Sequence, residues 1–449
     1  MSKNKSTIDL TSGCISLGLV KFSLPLMAGN VLQQCYNLTD TLVVGRFIGK
    51  NALAAVGSAY ILMIFLTSII LGLNMGCGAF LSIKYGAKED REFAIGNWLS
   101  FCGTGLFSIL LTLLVYLLLG FTANLLAIPA SIHALFNQYL LIIYAGIPAT
   151  FLYNYFACSL RAIGNSAIPL IFLCLSSVLN IILCIWLVAG LGLGVAGSAL
   201  ATVISQYFAG LCLTIYAWRH FPQLRFKKTA MVYDQAISKS ILSLAGLTAL
   251  QQSIMNLGMG ILMVQGRINS FGVNVMAAFS SAFKIDTLAY SPVQDFGNAY
   301  FTFVAQNYGA QQADRIKQGN RQASWWILVF CLVISSLVVF CTKPLLALFS
   351  SDPEVIQIGI GYLRIEGSFF ALIGFLFMFY GYFRAIDKPM ISVVLTIFSL
   401  GTRVLLAYLL SAIPSIGYIG IWASIPIGWA LADLAGLYYL HKKAVKPTD

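Results

Sequence analysis

A few residues buried in otherwise apolar stretches of this 449-residue sequence carry groups that can hold a proton or a cation. Asp40 is the foremost. A carboxylate inside a lipid-spanning helix costs at least ~2.5 kcal/mol on insertion scales, so it usually lines a cavity and handles an ion. Such a group can load a proton or, with polar neighbours, bind a cation. The competing reading is structural: an acid hydrogen-bonded between helices, or one reaching the outer interface, since Asp40 lies near the outer end of its stretch. Asn37 falls one helical turn below Asp40 on roughly the same face, and Gln33 a turn further down. Asn180 and Thr202 belong to two later stretches. Asp40, Asn180 and Thr202 lie four, nine and seven residues from the outer ends of their stretches. At ~1.5 Å per residue all three fall within ~14 Å of one face. Singly, each amide reads as glue between helices; shared depth and face make Asp40, Asn37, Gln33, Asn180 and Thr202 candidates for one proton- or cation-coupling cluster.

The second half carries a different set. Lys284, Asp286 and Asp295 share one stretch with Pro292, Glu366 sits in another and Arg403 in a third. Lys284 and Asp295 are eleven residues apart, about three turns along nearly the same face, so they cannot touch and each needs a partner elsewhere. Glu366 and Arg403 are the candidates. These charges read equally as structural pairs or as groups lining a cavity or relaying protons. Pro25, inside the first stretch, removes a backbone hydrogen bond; it is either a hinge or a tolerated early-helix proline. The ten cysteines scatter singly, without CxxC spacing or a histidine at ligand distance, and read as packing residues with no metal or disulfide role.

The elements that hold these groups follow from composition. Hydrophobic residues make up 59% and charged residues 9%, against about 25% charged in a soluble domain. Mean hydropathy is +0.86. That excludes a soluble enzyme, a nucleic-acid binder and a disordered scaffold. The net charge of +12 is spread between apolar blocks rather than gathered in a patch. A bilayer crossing needs about 20 apolar residues. Twelve such spans are predicted, at 18–44, 53–83, 93–120, 133–157, 166–189, 195–218, 238–265, 271–303, 322–343, 354–382, 389–411 and 418–440. Their length and lack of strict alternation indicate helices, giving an all-α polytopic membrane protein. The N-tail, the even-numbered loops and the C-tail hold twenty Lys and Arg; the odd-numbered loops hold four, Arg46, Lys50, Arg267 and Lys343. Both termini are therefore expected in the cytoplasm, with residues 1–17 a retained tail and 441–449 its C-terminal counterpart.

Sliding the sequence against itself gives matches at a constant offset of 223 residues. Asn51–Tyr60 falls on Asn274–Phe283, Tyr85-Gly86-Ala87 on Tyr308-Gly309-Ala310, and Arg161-Ala162-Ile163 on Arg384-Ala385-Ile386. Gly194 and Gly197 fall on Gly417 and Gly420. Two copies of six spans, 18–218 and 238–440, thus flank a cytoplasmic linker at 219–237. An even span number gives both copies the same orientation, the parallel-repeat class of transporter, which rocks one half against the other. No GxxxxGK[ST] occurs, so a nucleotide is not the expected energy source and an ion gradient is.

Gln33-Gln34-Cys35-Tyr36-Asn37-Leu38-Thr39-Asp40-Thr41, continuing to Gly45-Arg46 and Ala52–Gly57, resembles the first two helices of the MATE (multidrug and toxic compound extrusion) family. So do Gln306-Asn307-Tyr308-Gly309-Ala310, Arg161–Asn165, Asn180 and the Gly194–Thr202 run. The resemblance implies two six-helix lobes forming a V, and antiport of amphipathic, often cationic compounds against protons or sodium ions at the inner membrane. It implies that Asp40, Asn180 and Thr202 form the ion site of the first lobe and that the first helix bends at Pro25. Many relatives carry an acid where this chain has Cys184, which favours protons over sodium here. Gln251 and Gln252 stand where one branch has a cation-binding Glu, so that second site is expected to be missing. The expected partners are small amphipathic substrates and membrane lipids, with no nucleic acid, nucleotide or cofactor, and a monomer is expected. The loop after the second span lacks the GxxxDRxGRR pattern of the major facilitators. The alternative is a flippase for a lipid-linked sugar or another amphiphilic metabolite of the same superfamily.

Overall fold

The computed structural model describes residues 7–125, 128–256, 266–350 and 352–443, with the backbone alone at 35–42, 50, 125 and 443. The first half runs through α1 (Ile15–Phe47), α2 (Lys50–Gly86), α3 (Asp90–Leu117), the short α4 (Leu119–Leu125), α5 (His133–Ile143), α6 (Ile147–Ala162), α7 (Ala167–Ile185) and α8 (Gly194–His220). The second runs through α9 (Gln235–Asn256), α10 (Val273–Gly309), α11 (Ala313–Phe340), the short α12 (Thr342–Ala347), α13 (Pro353–Gly367), α14 (Phe370–Ala385), α15 (Pro389–Ser411) and α16 (Ile419–Lys443). Among the described residues, nine helical stretches are long and apolar enough to cross a membrane, and α13 with α14 makes a tenth crossing bent by 49°. The two remaining predicted crossings are α9, described only as far as Asn256, and α10, whose 37 residues include Lys284, Asp286 and Asp295.

The sequence repeat is built into the backbone. α2 and α10 both span 37 residues, α3 and α11 both 28, and α6 and α14 both 16, each pair starting 223 residues apart. Unusual dihedrals recur at the same offset. Gly49 and Gly272 begin their helices at φ 111° and 99°, Lys88 and Gln311 turn at 58° and 57°, and Gly194 and Gly417 both turn at 55°. A break also repeats: a 3-10 turn at Tyr144–Gly146 separates α5 from α6, as Ser368–Phe369 separates α13 from α14.

The described helices group into two compact units. Among the described residues, one holds 28–253 with Thr7 and Ile8; the other holds Asp9–Met27 with those from Ile254 onward. These units depart from the sequence halves in two places. The first turns of α1 pack with the second unit, whereas the linker and most of α9 pack with the first. Hydropathy fixes the length of a span but not its neighbours, so the sequence carries no sign of this exchange.

Within the first unit, α2 meets α9 at backbone distance. Gly72 stands against Ala249 and Gly76 against Ala245, so any Cβ on either glycine would run into the backbone of α9. Gln252 Nε2 donates to Met75 Sδ at 3.2 Å beside this contact. The Gly76→Val substitution should force the two helices apart and cost about 1–3 kcal/mol, the usual penalty of overpacking. A lowered midpoint of thermal unfolding in detergent, with Gly57→Val as a control in open space, would show it.

The N-terminal segment of the second unit is held by side chains at the starts and ends of α10 and α11. Asp9 accepts from Thr11 N, Thr11 Oγ1 and Ser12 Oγ at 2.9, 2.7 and 2.8 Å, closing a turn. Arg315 donates to the carbonyls of Leu10, Ser12 and Gly13 at 3.3, 2.7 and 3.0 Å, and Asn307 Nδ2 adds a 3.0 Å bond to Leu10 O. The repeat-equivalent positions in the first unit, Glu92 and Lys84, instead pair with one another at 2.6 Å. Charge-assisted bonds contribute about 1.5–3 kcal/mol each, so Arg315→Ala should speed amide exchange at residues 10–13 at least tenfold, measured by hydrogen-deuterium exchange. Arg315→Lys should not restore protection, because one ammonium lacks the fork that reaches three carbonyls.

Candidate functional site

In the first unit the site is assembled by α7 and α8, antiparallel neighbours joined through a π-helical turn at Trp186–Gly190. Gly197 lets α8 close on Leu187, and this brings two polar groups together inside the packed pair. Asn180 Nδ2 donates to Thr202 Oγ1 at 3.3 Å, and both residues are buried. Among the described residues, the buried Asn180 Oδ1 atom has no hydrogen-bond partner. A buried carbonyl oxygen left without a donor is costly, and it marks a place where a proton donor or cation is stabilised.

α1 lies alongside α7. Gly29 packs on Leu170 and Leu173; Val43 packs with Cys184, Leu187, Val188 and Ala201 in one apolar cluster. These contacts advance together along both helices, so positions 37 and 40 of α1 fall within about a turn of the level of Asn180. The side chains of Asn37 and Asp40 lie outside the described residues. Gln33 is exposed and stands apart from the buried pair. Cys184, where an acid was weighed, is a core residue 1% exposed. Pro25 sits inside a helix that continues from Ile15 to Phe47, within one turn of the point where α1 passes from one unit to the other.

In the second unit three of the five charged candidates converge. Asp286 of α10 and Glu366 of α13 are 2% and 1% exposed and face one another. Arg403 of α15 acts electrostatically on both carboxyls. Glu366 occupies the last turn of α13, next to the bend, where the helix no longer shields its polar groups. Among the described residues, one oxygen of each carboxyl and Arg403 Nε are buried without a hydrogen-bond partner. At the 223-residue offset Arg403 is the counterpart of Asn180, so the same place in the fold holds an amide in one unit and a guanidinium in the other. Fully ionised, the three side chains carry one uncompensated negative charge, which a proton or a monovalent cation would cancel.

Two of the five do not join. Lys284 is exposed, and Asp295, nine residues from Asp286, projects from the opposite face of α10. The sequence argument picked out the face shared by Lys284 and Asp295; the cluster forms on the other. Tyr362, fully buried beside Glu366, was not singled out. Its position four residues before Glu366 on one helix was the available signal. Gln251 and Gln252 are buried in α9. Arg384, at a predicted span end, is 3% exposed and stacks on the Phe301 ring, 4.6 Å from its centroid.

The chain has known relatives over its whole length. It is 29% identical over 423 residues to "Probable multidrug resistance protein YoeA" of Bacillus subtilis, covering 92% of this chain and 90% of the relative. It is 26% identical over 458 residues to the "FAD transporter" of Shewanella oneidensis, covering 99% and 98%. Its fold matches that of a solved MOP superfamily transporter from Pyrococcus furiosus with a TM-score of 0.92 over 100% of both chains, at 23% identity. The MatE family model matches twice, at residues 25–186 and 245–409, once in each repeat. A repeated helical core, buried ionisable groups inside membrane-spanning helices and a family match in both copies lead to one conclusion: the chain belongs to the MATE family of multi-pass membrane transporters and is not an enzyme.

Proposed function

We propose that this transporter exports amphipathic, often cationic organic compounds in antiport with protons rather than sodium ions, by alternating access. The observation that carries the reading is the buried Asn180–Thr202 pair with its unpartnered carbonyl oxygen, at the level of Asp40 in α1. A protonated Asp40 is a donor that suits this oxygen; an ionised Asp40 is not. Loading and releasing one proton there changes both the charge of the first unit and the hydrogen bonds that hold α1 to α7. The hinge is Pro25, near which α1 changes units. Cys184 supports protons over sodium, because a sodium ion takes several oxygen ligands and this position supplies a buried thiol. Asn37 and Gln33 would line the approach to Asp40. Asp286, Glu366 and Arg403 would act as a second charge relay, and Lys284 and Asp295 as cavity groups. The reading places a monomer in the inner membrane with both termini in the cytoplasm.

A second reading is flipping or export of a lipid-linked sugar or another amphiphilic metabolite; the relative named as an FAD transporter supports only that an anionic organic compound is carried within the family. Cells lacking their own efflux pumps separate the two. Expression should lower accumulation of a lipophilic cationic dye severalfold, a protonophore should abolish the effect, and replacing sodium in the medium should leave it unchanged. Dye accumulation that ignores the protonophore would overturn proton antiport.

A further inference from the structure

Asp433 belongs to neither cluster above. It lies in the interior of α16, fourteen residues from Ile419 and ten from Lys443, so about 15 Å of helix separates it from the nearer end. Its face of α16 also carries the buried Trp422, Ile425 and Trp429. Asp433 is 7% exposed, and both carboxyl oxygens are buried with no hydrogen-bond partner among the described residues.

The surroundings explain why no donor reaches it. The titratable group beside it is Tyr380 of α14, whose hydroxyl is engaged with Thr396. Ser392 Oγ donates to Tyr380 O at 3.0 Å, and Thr396 Oγ1 donates to Ser392 O at 2.9 Å. On α15, Arg403 packs a turn away against Gly428 and is directed to Asp286 and Glu366. On α13, Glu366 and Tyr362 belong to that same cluster. Arg384 of α14 is turned onto Phe301. Among the described residues, no charged side chain acts on Asp433. One turn further along α16, Gly436 is pressed against the Phe379 ring, so the neighbouring contact is apolar.

An ionised carboxylate at this depth, without a donor or a counter-ion, would bear an uncompensated desolvation penalty of several kcal/mol. Among the described residues, the titratable groups there offer a sodium ion one carboxylate and one phenol oxygen. A proton removes the penalty with no further ligand. We infer that Asp433 is a proton-binding site of the second unit: its carboxyl is the neutral acid while α14, α15 and α16 are packed together, and it gives up the proton only when water or a cationic group is admitted between them. The site itself stands on geometry; its use in export rests on the antiport proposed above.

Infrared spectroscopy of the purified full-length transporter, comparing wild type with Asp433→Asn at neutral pH, tests the site. The wild type should show a carbonyl stretch from a protonated carboxylic acid that is lost in D433N and shifts slowly in heavy water. Identical spectra in that region, or loss of a carboxylate band instead, would overturn the inference. Should D433N fail to insert, Asp433→Glu keeps the acid and should move the same band; an unmoved band would count against the site. Proton-driven dye efflux then tests its use. Loss of efflux in D433N supports a role in coupling, and unchanged efflux together with loss of the band refutes that role while leaving the site. Failure of wild type to export under any gradient would refute antiport and not the infrared result.

Discussion

Asp40→Asn should cut proton-driven export by about 5- to 150-fold, the range spanned by coupling free energies of about 1–3 kcal/mol. Asparagine keeps the size of the side chain and can still donate to the Asn180 carbonyl oxygen, so the packing of α1 on α7 should survive. What it cannot do is alternate between a charged and a neutral state. The variant should therefore unfold at the same temperature as wild type and bind dye, yet export it no faster under an imposed gradient than without one. Asn180→Leu should show a milder form of the same defect, because it removes the acceptor and leaves the titrating group. Asp40→Asn that remains gradient-driven would move the coupling elsewhere, to Asp286–Glu366 in the first instance.

The second large effect is expected at Arg403. Removing one member of a buried charge cluster leaves the others uncompensated, a loss of about 3–5 kcal/mol. Arg403→Met keeps most of the volume and the packing of α15 on Gly428, so the loss should report the charge. Neutralising the cluster as a whole should recover much of it. The triple variant Asp286→Asn, Glu366→Gln, Arg403→Met is expected to unfold well above Arg403→Met alone, and pairwise cycles should give interaction energies of about 0.5–3 kcal/mol. Equal and additive losses would mean that the three side chains do not act on one another.

Much of this was legible in the sequence for reasons that can be named. Bilayer thickness sets span length, so apolar runs show where helices lie. The 223-residue offset was visible because Asn, Gly and Arg recur at fold-critical positions such as Gly194 and Gly417, which share a φ of 55°. Similar depth, nine and seven residues from their span ends, put Asn180 and Thr202 near one face, and the structure pairs them. Other features left no such mark. The break between α13 and α14 interrupts an apolar run at Gly367–Phe369 with no proline, and nothing local places Glu366 against Asp286 across two helices. Arg384 and a true interfacial arginine look alike at a span end, because the Phe301 that covers Arg384 lies on another helix. Asp433 could not be placed either. One acid in an apolar run reads the same whether it faces a cavity or the core, and only its neighbours on α14 and α15 decide.

The most direct test of proton antiport is efflux of a lipophilic cationic dye from proteoliposomes holding the purified protein, under an imposed proton gradient or sodium gradient alone. Efflux driven by the proton gradient, unaffected by sodium and lost in Asp40→Asn, is the predicted result. Efflux driven by sodium alone, or none under either gradient from correctly inserted wild type, would contradict it.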